Sequence, residues 1–439
     1  MAHAEPAAWK AAVALGALHR KWECGNAERR GQGDTDLVSG PEDQATRFSR
    51  QATNHYLGAV RLAQEVKEPR LAVALSVALA AVANLAGMWQ DSQVHVQSGL
   101  RLLVQMMNQQ PSERQGLENV LQSLVKLDIL AMTFCDDTAP YPFAQFDSTY
   151  ATLGHGVGSP SLEGAASDIL PLFRYALFLY GAQEEDKLSE PEVSAGQARL
   201  EHYTAMWEQN LRRRLNEHYS RRGRSSTEDA KHRRVINTMK LYHSTLKALI
   251  ATTWVGPETR WDACLPYFER ITSAAEAISQ STNFPFSFFL SLEPGIIMPL
   301  FLTAIRCRQP LTRRRALTLL RNLNWQEGMW NSDGAAVVAE QIIAVEEDGL
   351  GIELPLSIER IISPEDFTAD DEGWLNDEGP SHTDLWGAWP VVPERQRVVR
   401  NFILANTDSN RATIALRLEI AGSEDGSQQP EFISINILL

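Results

Sequence analysis

Nineteen consecutive residues, Leu71 to Trp89 (LAVALSVALAAVANLAGMW), carry no charge. A run of this length approaches the roughly 20 apolar residues that a membrane-spanning helix needs, so it decides first whether lipid or protein surrounds the chain. Its composition favours protein. The run is rich in alanine, which contributes little to insertion, includes Ser76 and Asn84, and ends at Trp89-Gln90-Asp91. It reads as a helix buried in a core, with no membrane partner expected. A buried helix needs other helices to cover it.

The first 350 residues supply them. Ala7 to Trp22 is Ala/Leu-rich behind Pro6, a residue suited to a first helical turn. Arg47 to Lys67 places Tyr56, Val60 and Ala63 at helical spacing, with Pro69 as its stop. Val96, Leu100, Leu103 and Met107 stripe Ser92 to Gln110, and Leu117 to Leu130 stripe Gly116 to Phe134. Further helices are expected at about 166–180, 197–219, 235–254, 261–279, 295–306, 311–323 and 334–347. Between them, residues 24–46 and 135–165 read as loops, and Arg212 to Arg234 as a basic hinge with nine Lys/Arg against three acids. Beyond Gly349 the pattern changes. Residues 351–396 form an acidic, Pro/Gly-rich connector, and the Val/Ile-rich segments at 397–406, 413–419 and 431–439 are expected strands. The expected fold is mainly α: a large helical bundle or stack over 1–350 with a small C-terminal β appendage over 397–439.

Charge and cysteine usage narrow the function classes. With 41 Lys+Arg against 55 Asp+Glu the net charge is −14, which argues against a surface that attracts nucleic acid everywhere. Cys24, Cys135, Cys264 and Cys307 are too dispersed for a disulfide framework or a zinc knuckle. The N-terminus lacks the basic start and apolar core of a secretion signal, and no Asn-x-Ser/Thr acceptor occurs. An intracellular location, nuclear or cytoplasmic, is expected.

Catalytic signatures are missing: there is no G-x-S-x-G, no H-E-x-x-H and no Walker loop, and the G-x-G-x-G at 154–158 follows no convincing strand. Neither a metal nor a cofactor is therefore expected. His243 lies among apolar neighbours in KLYHSTLKALI, and Glu293 in FPFSFFLSLEPGIIMPLF has the most apolar surroundings of any carboxylate, either as a desolvated acid, as a cap of the helix opening near Gly295, or as a residue turned to water at Pro294. If the protein is an enzyme, these two are its catalytic candidates. Trp254, Phe288, Phe289 and Tyr242 are the candidate ligand-binding residues. Arg212, Arg213, Arg214, Arg221, Arg222, Arg233 and Arg234 could form a nuclear-import signal or phosphate patch, or simply a solvated face. Thirteen acids and one Arg occupy Glu340 to Glu378, interleaved with Phe367, Trp374 and Leu375. That is the composition of an activation segment or of an acidic surface loop.

The run Phe286 to Gly349 resembles the signature of the fungal-specific regulatory domain of zinc-cluster transcription factors. The likeness is carried by Pro299-Leu300-Phe301, Cys307-Arg308, Arg313-Arg314-Arg315-Ala316, Glu327-Gly328-Met329-Trp330-Asn331-Ser332 and Glu346-Glu347. Upstream, AAVALGALHR at 11–20, HVQSGLRLL at 95–103 and KLDILAMTF at 126–134 look like its earlier helices. Such factors bind DNA through an N-terminal six-cysteine cluster holding two zinc ions. This chain opens at the first helix of the regulatory domain, its four cysteines cannot build that cluster, and no direct DNA binding is expected. The matching charges Arg308, Arg313 to Arg315, Glu327 and Glu346 are expected to form buried or interfacial pairs, because an unpaired buried Arg is costly.

The resemblance implies a regulatory protein without its own DNA-binding domain, acting through a small apolar metabolite or a regulatory protein in a fungal specialised-metabolite pathway. The alternative is a repurposed enzyme on the same helical body, a cofactor-independent cyclase, isomerase or pericyclase that shapes an apolar intermediate.

Overall fold

The computed structural model describes residues 5–29, 44–109, 118–134, 161–184, 188–220, 226–252, 256–281, 289–355, 373–375, 389–406, 413–420 and 431–438. Helices dominate the described residues, as the periodicity requires. The chain divides into two compact units. Met1–Cys135, Pro285–Pro294 and Asn324–Asn331 form the first; Asp136–Phe284, Gly295–Leu323 and Ser332–Leu439 form the second.

The first unit holds α1 (Pro6–Arg29), α2 (Gln44–Ala63), α3 (Pro69–Leu85), α4 (Trp89–Gln109) and α5 (Glu118–Phe134). On α1 the buried residues Ala7, Ala11, Ala14 and Leu18 recur at helical spacing, and on α2 Ala52, Tyr56 and Ala59 do the same. Small side chains on both stripes let the two helices pack closely. The uncharged run becomes α3, buried from Leu79 to Leu85 against its neighbours. No described helix is long and apolar enough to cross a membrane. Gly99 on α4 marks the tightest approach: a Cβ there would stand 2.9 Å from Ser76 Cβ and 3.1 Å from a Leu124 methyl. Pro69 is not the stop of α2, which ends at Ala63, but the first residue of α3, where its missing N–H is no loss.

Two later segments complete this unit with a small sheet. β1 (Phe289–Ser291) runs parallel to β2 (Trp325–Glu327), which pairs antiparallel with β3 (Trp330–Asn331). Gly328 turns the hairpin at φ +58°, and a Cβ there would meet Asn84 Oδ1 and a Leu130 methyl, each at 2.9 Å. Both the backbone angle and the space therefore demand glycine. Trp330 Nε1 donates to Thr133 Oγ1 at 2.9 Å, fixing the hairpin to α5.

In the second unit come α6 (Leu162–Glu184), α7 (Glu190–Ser220), α8 (Ser226–Thr252), a 3-10 segment (Glu258–Cys264), α9 (Leu265–Ser281), α10 (Ile297–Arg306), α11 (Pro310–Leu323) and α12 (Ser332–Glu346). The expected basic hinge is largely helix, since α7 continues to Ser220 and α8 starts at Ser226. α1 and α2 likewise claim both ends of the expected 24–46 loop. β4 (Val398–Asn406), β5 (Thr413–Ile420) and β6 (Glu431–Leu438) form an antiparallel meander, with Ile403 opposite Leu416 and Leu416 opposite Ile435. The G-x-G-x-G run lies outside the described residues.

A lattice of buried charges ties these elements together. Glu346, at the end of α12, accepts from Arg308 Nη2 at 2.8 Å, Arg313 Nη2 at 2.7 Å and the Val398 backbone N–H at 2.9 Å. Glu347 accepts from Arg313 at 3.2 Å and from Arg314. Glu258 accepts from Arg306 at 2.7 Å and Arg308 at 3.1 Å. Arg306 also donates to the carbonyls of Val398 and Val399 at 3.0 and 2.7 Å. Arg397 forms a two-pronged pair with Asp262 at 2.7 and 2.8 Å, and Glu394 accepts the Glu258 and Thr259 N–H groups at 2.6 and 2.8 Å, capping the 3-10 segment. The charged positions of the signature thus pair as expected at Arg308, Arg313, Arg314 and Glu346, and Arg315 pairs with Glu276. Glu327, also buried, belongs to β2 in the first unit.

Burial alone would raise the Glu346 carboxyl, but Arg308, Arg313 and the Val398 N–H together hold it below its ordinary value of 4.5. A depressed carboxyl contributes stability that is present above the unfolded value and lost as pH falls through the folded one. Glu346→Gln should therefore cost about 3–5 kcal/mol at neutral pH, because two guanidiniums stay buried and underpaired. It should also make the acid limb of the pH–stability curve shallower. Urea titration of both proteins from neutrality into the acid range checks both effects.

Candidate functional site

The residues with the greatest capacity for recognition converge where α7, α8 and α9 meet the short 3-10 turn Gly373–Leu375. Trp207 and Glu208 lie on α7, and His243 and Lys247, one helical turn apart, on α8. His243, only 1% exposed, has Nε2 2.8 Å from Glu208 Oε1, and Lys247 Nζ lies 3.8 Å from the same oxygen. The Trp207 ring stacks on the imidazole at 5.6 Å, and its Nε1 donates to the Ala165 carbonyl at 3.0 Å. Against the other side stands Trp374, edge-on at 5.2 Å.

Trp374 and Leu375 are both buried, although they come from the most acidic stretch of the sequence. Their main chain is held by cations. Arg212 Nη2 donates to the Leu375 carbonyl at 2.6 Å, and Arg270 Nη1 donates to the Trp374 carbonyl at 3.3 Å. The Trp374 indole N–H is buried without an acceptor among the described residues, a defect that costs about 1–3 kcal/mol. The arrangement can grip a short peptide by its carbonyls and take an indole against an imidazole.

The sequence candidates separate. His243 is in the second unit, sealed between two indoles. Glu293 is in the first, with its side chain 66% exposed and 2.6 Å from Lys126 Nζ. The desolvated alternative for Glu293 therefore fails, and the water-facing one holds. Leu290 and Leu292 pack inward while Glu293 turns out, so apolar neighbours in sequence do not surround it in space. Tyr242 is a core residue whose hydroxyl donates to the Gly295 carbonyl at 3.0 Å and whose ring meets Phe173 edge-on at 5.3 Å. The backbone of Phe289 lies in β1 of the first unit. Trp254, Phe288, Arg221 and Arg222 lie outside the described residues.

The basic candidates do not form one solvated face. Arg214 is buried, 3.7 Å from Asp168, because it points into the α6–α7 contact. Arg212 clamps Leu375. Arg213 is exposed, donates to Asn210 at 3.2 Å, and with Asn216, Glu217 and Ser220 lines an open concavity of about 680 Å³. Arg233 is exposed and Arg234 half-buried.

Trp207 and Glu208 were not among the candidates. The spacing of His243 and Lys247 was the available signal, since an imidazole and an ammonium one turn apart call for an acid opposite.

A separate titratable cluster sits in the first unit. Tyr56 Oη lies 2.7 Å from His95 Nε2 and donates to Asp91 Oδ2 at 3.3 Å. Burial, with Asp91 adding to it, pushes the phenol up, and burial, opposed by Asp91, lowers the imidazole below its ordinary 6.5. A depressed imidazole contributes stability above the unfolded value that is lost as pH falls. His95→Asn should cost about 1 kcal/mol at neutral pH through the lost bond to Tyr56 and should flatten the pH dependence below 6.5. Thermal melts across that range give both readings.

Burial raises Cys264 and Cys307 to about 12, and in Cys307 outweighs the opposing cations. Thiolates that rare do not react. Iodoacetamide should leave both thiols unmodified in the native protein and label both in urea, as read by mass spectrometry. Among the described residues no group of His, Cys, Asp and Glu is arranged to hold a metal ion.

The sequence model of the family described as the fungal specific transcription factor domain matches residues 1–342. No curated protein and no solved structure matches the chain.

Proposed function

We propose, from the premise that the chain belongs to the fungal specific transcription factor domain family, that it is a regulator of transcription working through protein contacts. The family match over 1–342, which reaches into both units, is the observation that carries this reading. Contact with a regulatory protein is favoured over sensing of a small apolar metabolite by the geometry around Trp374. There the body grips a peptide main chain with Arg212 and Arg270. Of the residues proposed for a metabolite, Tyr242 is spent in the core, its hydroxyl on the Gly295 carbonyl. A place in a fungal specialised-metabolite pathway, and a nuclear site of action, belong to the same proposal.

The enzyme alternative draws no support from its two candidate residues. His243 is shut between Trp207 and Trp374, and Glu293 stands in water beside Lys126.

Tethering the chain to a reporter promoter through a foreign DNA-binding module in a fungal host tests the regulatory reading. Reporter output should change by roughly tenfold, an effective interaction difference of about 1.4 kcal/mol at the promoter. A tethered, well-expressed chain that leaves output unaltered would sink the reading. Turnover of a component of fungal extract by the purified protein would instead make it an enzyme.

A further inference from the structure

We propose that the groove between α7, α8 and α9 is a binding site for a short acidic peptide presenting Trp-Leu, and that residues 373–375 of this chain are its exchangeable internal occupant. Three observations carry this. The first is how the occupant is held. Arg212 and Arg270, from two different helices, donate to consecutive carbonyls of Trp374 and Leu375. Carbonyl recognition is independent of the occupant's own sequence, so any peptide that reproduces the turn receives the same two bonds. Specificity is left to the side chains, with the indole set edge-on against His243 at 5.2 Å and Leu375 buried beside it.

The second observation is the mismatch within the seat. The Trp374 indole N–H is buried without an acceptor among the described residues. Buried tryptophans mostly satisfy this group, as Trp207 does through Ala165 and Trp330 through Thr133, while the core residue Trp261 shares the defect. The seat forgoes one hydrogen bond to its present occupant, so a peptide of the same kind has little to give up in replacing it.

The third observation is charge. The Gly-Trp-Leu element is bracketed in sequence by Asp370, Asp371 and Glu372 on one side and by Asp377 and Glu378 on the other. Around the groove stand Arg212 of α7 and Arg270 of α9, while the site's acid, Glu208, is already engaged by His243 and Lys247. Acids flanking Trp-Leu in a partner peptide complement these guanidiniums, which favours an acidic peptide over a neutral or basic one. The partner is thus a protein segment with Trp-Leu or a close apolar equivalent between acids. This inference does not depend on the transcriptional reading, and its test uses no reporter.

The groove is vacated by Trp374→Ala with Leu375→Ala in the full chain. A fluorescein-labelled peptide with the sequence of residues 366–382 is then titrated and followed by fluorescence anisotropy. The vacated chain should bind the peptide at least about tenfold more tightly than the unchanged chain, whose own segment competes. Adding Arg212→Ala and Arg270→Ala to the vacated chain should weaken binding by about tenfold or more. A peptide with Ala in place of its Trp should not compete. Equal binding to all chains, or no binding to a vacated chain that still melts cooperatively, overturns the proposal.

Should the vacated chain fail to fold, the unchanged chain carries a site-specific protease site on each side of 373–375 and is cut. Native mass spectrometry then follows the excised peptide. Replacement of that peptide by excess labelled peptide supports the proposal. Retention without exchange over a day marks a fixed core element and overturns it. So does release followed by no binding of the labelled peptide.

Discussion

The carboxylate of Glu346 is the group on which the second unit depends. Its two oxygens are shared among Arg308, Arg313 and the backbone N–H of Val398, so α11, α12, the link between α10 and α11 and the start of β4 meet at one charge. Taking a carboxylate out of water is costly, and the cost is met only where every lone pair finds a donor. That condition propagates outward. Arg308 also reaches Glu258, Glu258 takes Arg306, and Arg306 reaches the carbonyls of Val398 and Val399. Removing one member leaves its partners buried and charged, which makes the lattice a requirement for the packing of these helices and not a late addition to it.

The same network changes the meaning of the C-terminal strands. Arg397 with Asp262, and Glu394 with the opening of the 3-10 segment, fasten the chain before β4 to residues more than a hundred positions upstream. The sheet is therefore anchored at its root by ionic and backbone bonds to the helices, whereas its own strands pair only with one another. The aromatic groove works on the opposite principle. There an imidazole and two indoles supply the contact surface, and Arg212 and Arg270 hold main-chain carbonyls.

Much of the helical order was legible because it rests on local pattern. The uncharged run from Leu71 had to be buried and is α3; the stripe of Val96, Leu100 and Leu103 marked α4; and Val/Ile-rich runs between turn residues marked β4 to β6. The pairing of Arg308 and of Arg313 to Arg315 was legible for a different reason, since buried guanidiniums demand acids. What stayed hidden was whatever depends on partners far apart in the chain. Glu258, Asp262 and Arg397 are single charges with no periodicity around them. β1 to β3 are too short to show alternation. For Glu293 the sequence left burial and exposure both open, because Leu292, Pro294 and Ile296 surround it in sequence, while the turn out of β1 sends its side chain the other way. Trp374 stood out as an aromatic among acids, but nothing local said that α7 and α8 would enclose it.

The order in which the ribosome releases these residues gives the lattice a consequence for synthesis. Arg313 and Arg314 emerge on α11 before Glu346 and Glu347 exist, and the first unit likewise waits for β2 and β3 at Asn324–Asn331. Chains lengthen at about 5–20 residues per second and domains generally fold as units. A nascent chain that has just finished α11 therefore holds a helix whose inner face is cationic and cannot yet be buried. Neither unit can close as its residues appear, and a product cut at the family boundary after residue 342 would keep those arginines without Glu346 and Glu347.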